Sequence, residues 1–127
     1  MEKIKLYHYS DKDFTGRINI KFFNDNSYTF NDYKSCKIKR AFYYTDNSII
    51  EYNLQGAKFL YIIEVNKNKI YDLQIDKKQI KNRFNTIPEL LTYLKNNFSG
   101  AYYQIGGLKI VILFENIEFK SKIKRGF

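Results

Sequence analysis

"TIPELLTYLKNNFSGAYYQIGGLKIVILF", Thr86 to Phe114, is the stretch that decides the fold class. Its first half has helical spacing, with Leu90, Leu91 and Leu94 on one face, Thr86 as N-cap, Glu89 completing a capping box, and the chain's single proline in the first turn. Gly100 is read as the helix stop. The pattern then changes to strand: "AYYQI" and "LKIVILF" are rich in β-branched and aromatic residues, and Gly106 and Gly107 join them as a hairpin. A helix that feeds a hairpin, without regular strand-helix alternation, predicts an α+β domain rather than a doubly wound one.

Outward from that stretch, "NIEFKSKI" predicts a third strand that finishes the sheet, and residues 120–127 form a basic tail whose end is expected to fray. On the N-terminal side, "DKKQIKNRF" reads as a short helix or loop. Ahead of it, "AKFLYIIEV" (Ala57 to Val65) is the strongest strand candidate, and "NKN" turns it into "KIYDL" as a second hairpin. Asp46 or Ser48 can cap a short helix through "NSIIEYNLQ", closed by Gly56. Ala41 to Thr45 and Ile4 to Tyr9 read as strands, and the Asn/Asp-rich segment between them as a long loop with one short strand around Ile18 to Phe22. At 127 residues, with no repeat and no low-complexity linker, the chain is expected to be one domain spanning 1–127.

Composition narrows the chemistry. The net charge is +9, favouring acidic partners, and the aromatic share of 18% comes from 12 Tyr and 11 Phe. One cysteine, Cys36, and one histidine, His8, exclude a disulfide framework and the usual zinc site, so no metal is expected. A Cys36–His8 nucleophilic pair has nothing further to mark it. "GAYYQIGG" has the wrong spacing for a phosphate-binding loop. The start of the chain lacks an apolar leader segment and no window reaches membrane-spanning length, which predicts a soluble, cytoplasmic protein with no membrane partner.

By itself His8 reads as a core or edge residue of the first strand. Its setting adds more: "LYHYS" (Leu6 to Ser10) and, after a long loop, "AFYYTDNS" (Ala41 to Ser48) resemble the paired motifs of the ADP-ribosyltransferase superfamily, in the branch with a His-Tyr-Glu type triad. "KFLYIIEVNKNKIYDL" is similar to the strand pair of small bacterial and phage members, including the domains of phage polyvalent proteins. The resemblance runs from about Lys5 to Phe119 and implies split antiparallel sheets with a few short helices, NAD as substrate, and transfer of ADP-ribose to a protein or nucleic acid. It also implies an effector of a phage or mobile element acting on a host component in the bacterial cytoplasm.

Carried over residue by residue, the resemblance makes His8 the ligand of the adenine-side ribose of NAD, Ser10 a nicotinamide or ribose contact, and Tyr43 the ring that stacks on nicotinamide, with Tyr9 and Tyr44 beside them at the cofactor. The acidic element is where the chain departs from the family. Lys109 stands at the usual position, and Gln104, just ahead of the last core strand, is taken as the catalytic amide together with Tyr43; Glu115 lies too far along that strand. A different class of function uses the same fold without catalysis: a binding module for nucleic acid or an acidic protein, with Lys34, Lys37, Lys39, Arg40 and the basic tail as contacts. A small basic ribonuclease built on His8 with Tyr and Lys partners also remains open, as does the oligomeric state.

Overall fold

A computed structural model describes residues 2–22, 38–46 and 57–125. The helix predicted over "NSIIEYNLQ" lies outside them, as do Lys34, Cys36 and Lys37. The elements are β1 (Lys3–Ser10), β2 (Arg17–Ile18), β3 (Ala41–Tyr44), β4 (Phe59–Asn66), β5 (Ile70–Asp72), α1 (Ile87–Asn97), β6 (Gly100–Ile105), β7 (Leu108–Leu113), β8 (Ile117–Glu118) and β9 (Ser121–Lys124). Seven strands form one sheet in the order β5-β6-β7-β3-β1-β4-β9, and β2 pairs with β8 in a separate ribbon. The chain is α+β, as the helix-to-hairpin stretch predicts.

Local chemistry accounts for the elements that were predicted well. Thr86 is extended and caps α1: its Oγ1 accepts the Glu89 N–H at 3.3 Å and donates to Glu89 Oε1 at 3.0 Å. Leu90, Leu91 and Leu94 are all buried, against the face of the sheet that carries Tyr71, Ala101, Tyr103, Ile110 and Ile112. Burying side chains of that size stabilises by about 2 kcal/mol each. Gly106 and Gly107 have φ of 54° and 86°, the left-handed pair that a two-residue turn needs when it must follow the twist of its strands.

Three connections differ from the sequence reading. Gly100 does not stop the helix, which ends at Asn97 with Phe98 as the C-cap; Gly100 instead opens β6, where a Cβ would press into the Ile112 carbonyl and the Leu113 side chain. The expected β4/β5 hairpin does not form. Both edges of β4 are already taken, by β1 and β9, so Lys67–Lys69 carry the chain away as a single 3-10 turn and β5 pairs in parallel with β6, with α1 in the crossover. Finally, "NIEFKSKI" is two strands: β8 joins β2, and β9 is held along β4 from Ile62 to Phe59, so this part of the tail is ordered strand.

The sheet is split at its middle. β1 and β3 are neighbours that pair at one position, Tyr7 with Tyr44, whereas β3 and β7 pair at four and β1 and β4 at eight. Lys3 lies four positions before the row of Tyr7, Tyr44 and Ile110, and Glu115 five positions beyond it, so a flat sheet would set them about 30 Å apart. They line one depression together with Val65 and Ser99. The halves β5-β6-β7-β3 and β1-β4-β9 are therefore folded across each other. Between them lies a core of Leu6, Tyr61, Ile63 and Val65 from one half and Ala41, Tyr43, Val111 and Leu113 from the other.

Candidate functional site at the split

The two strands that carry "LYHYS" and the "AFYY" of the second motif are brought together at this split. Beyond the Tyr7–Tyr44 pair the backbone ladder stops and a side chain takes over: His8 Nδ1 lies 2.8 Å from the Phe42 carbonyl oxygen. A carbonyl only accepts, so Nδ1 carries the proton and the lone pair of the neutral ring is on Nε2. His8 is 5% exposed, and burial lowers its pKa from 6.5 to about 4, against the upward pull of the Phe42 carbonyl. The imidazole is thus neutral at physiological pH.

Strand register places a row of rings on the inner face: Tyr102 opposite Val111, Val111 opposite Tyr43, and His8 opposite Tyr61. The His8 ring is 5.1 Å from that of Tyr43 and 6.2 Å from that of Tyr61. Tyr61 has a structural task, since its hydroxyl donates to the Lys12 carbonyl at 2.6 Å and accepts the Phe14 N–H at 2.7 Å, pinning the loop after β1. Tyr43 is fully buried, its hydroxyl has no hydrogen-bond partner among the described residues, and burial pushes its pKa upward.

The other sequence-based candidates divide. Ser10 shares the inner face with His8, and its hydroxyl accepts the Lys12 N–H at 3.0 Å. Tyr9 and Tyr44 fall on the opposite face, because side chains alternate along a strand; Tyr9 packs with Leu60 and under the Arg125 guanidinium, 5.1 Å away. Gln104 is exposed and pairs with Lys109, two strands from Tyr43, and its Nε2 donates to the Tyr102 hydroxyl at 2.6 Å. Arg40 is 2% exposed, with Nη1 donating to the Ile38 carbonyl at 2.8 Å, so it does not stand at the surface where a phosphate contact was expected; Lys39 beside it is half-buried.

An open cleft of about 310 Å³ lies against the inner face, lined by Ile4, Thr45, Lys67, Ile70, Asp72 and Tyr102. Thr45 belongs to the second motif and follows β3 directly, and Tyr102 is the residue that Gln104 holds. Asp72 sits opposite Tyr102 in the parallel β5/β6 register; its Oδ1 accepts the Gln74 and Ile75 N–H groups at 2.9 and 3.1 Å, which fixes the carboxylate. Lys67 reaches Glu2 at 3.5 Å, both well exposed.

Compared with known proteins, the chain matches no family model, no curated protein and no solved structure.

The cleft's own chemistry is therefore the guide. One carboxylate, a phenol, a threonine hydroxyl and an ammonium surround two isoleucines, a set suited to a ligand with an apolar flat part and hydroxyl or phosphate groups. Among the described residues no three His, Cys, Asp or Glu side chains converge as a metal site, and no helix is long and apolar enough to cross a membrane. Sequence reasoning missed Asp72 because "KIYDL" was assigned to a hairpin with β4, and a parallel pairing thirty residues downstream leaves no local signal.

Proposed function

We propose that this chain binds NAD with its nicotinamide-ribose half in the cleft and transfers ADP-ribose to a macromolecular acceptor, releasing nicotinamide. The observation that carries the reading is the split: the two motif strands are neighbours that separate after one pair, with His8 and Tyr43 in ring contact across the gap. At about 310 Å³ the cleft is at the small end for ligand sites, enough for half of a dinucleotide, with the remainder outside.

In this reading the C1′–N bond to nicotinamide breaks with its electron pair going to the pyridinium nitrogen, positive charge develops over C1′ and the ring oxygen, and an acceptor nucleophile then bonds to C1′. Asp72 is the group that faces that charge, in the role the sequence reading gave to Gln104. Tyr102 and Thr45 hold hydroxyls, and Lys67 faces the pyrophosphate. His8 and Tyr43, buried as they are, position the split rather than touch the ligand.

That burial also favours a second reading, a binding module without catalysis. Labelled NAD incubated with the protein and cell lysate separates them. Asp72→Asn is expected to lower adduct formation about a hundredfold while retaining the NAD-dependent rise in melting temperature. A melting shift with no adduct from the native chain selects the binding module; neither adduct nor shift removes NAD from the account.

A further inference from the structure

The Lys67–Lys69 turn lends Lys67 to the cleft, and its Asn68 and Lys69 line a second depression, of about 430 Å³, with Lys95, Asn96, Asn97, Phe98 and Ser99. No carboxylate lines it, and Lys69 and Lys95 have no ion pair among the described residues. The neighbouring depression that shares Lys69 and Ser99 is different, since Glu64 and Glu115 line it and would repel an anion.

The C-terminal end of α1 opens here, and its carbonyls would ordinarily oppose an anion too. Two of them are occupied: the Phe98 N–H donates to Leu94, and Asn97 Nδ2 donates to Tyr93 at 2.8 Å. Lys95 adds positive charge in the same last turn. Lys78 lies beside this lining, its Nζ 5.4 Å from the centre of the Phe98 ring, which also packs against the Tyr71 ring at 5.0 Å. Lysines thus provide the attraction, Asn68 and Asn96 provide amide donors, and the partly buried Phe98 offers an apolar floor. That combination suits a phosphodiester backbone read without base specificity.

We infer that this depression is a docking surface for single-stranded nucleic acid, contacted through its phosphates by Lys69, Lys95 and Lys78. The inference does not depend on NAD binding in the cleft. A positive net charge of +9 attracts polyanions of every kind; what the depression adds is a local, acid-free face with amide donors.

The test is fluorescence anisotropy with a labelled oligo-dT across a range of salt, comparing the native chain with K69A/K95A and with K5A/K58A, a pair of exposed lysines elsewhere. Binding should weaken with salt, and K69A/K95A should reduce the magnitude of the log–log slope by about 1.4, two phosphate contacts' worth for a single strand. K5A/K58A should leave the slope within error of native. Equal losses in both double variants, no binding by the native chain, or equally good competition by polyglutamate would each overturn the inference. NAD-dependent melting is followed in parallel, so failure here and failure of the NAD reading are separately visible.

Discussion

His8 is held neutral by its burial, and the consequence for pH can be worked out with its sign. Its folded pKa, about 4, lies below the unfolded value of 6.5, so between those values the unfolded chain binds the extra proton. Stability from this group is complete above about pH 6.5 and is lost as pH falls toward 4, by roughly 3 kcal/mol in all. Denaturant melts across pH 4 to 7 should show that slope in the native chain and lose most of it in His8→Asn, whose amide can still donate to the Phe42 carbonyl. Tyr43→Phe makes a complementary case. Removing a buried hydroxyl without a partner should leave stability unchanged or raise it by up to about 1 kcal/mol, measured by the same melts. At this scale the sequence marked both residues as a pair. It could not show that both side chains are buried, because exposure depends on what packs above each of them.

Among the elements, those set by local rules were legible. The α1 N-cap, its leucine face and the Gly106–Gly107 hairpin depend on residues within one turn or one loop of each other. The β4/β5 pairing was misread because a strand's partner depends on which edges other strands have occupied. Gly100 shows the same distinction, being a plausible helix stop by sequence and a close-packing residue in β6 by structure. Gly100→Ala should cost about 3 kcal/mol by forcing β6 away from Ile112, read as a lowered denaturation midpoint with the fold otherwise retained.

Across the whole molecule, the two sheet halves share one interior, so neither should unfold alone. Leu6 is fully buried in that interior. Leu6→Ala is expected to lower stability by about 3 kcal/mol, with near-UV and far-UV circular dichroism still reporting one coincident transition. Separate transitions would mean that the halves are independent units. By itself the sequence determined the α+β class, most strands, the helix with its cap, and a His-Tyr motif pair, because period, capping and turn chemistry act over a few residues. Only the tertiary structure decided that the motif strands meet at a split, that Tyr9 and Tyr44 turn away from it, and that Asp72 supplies the cleft's carboxylate. Those outcomes follow from edge availability and from the folding of one half-sheet across the other, interactions between residues far apart in the chain that leave no periodic mark on it.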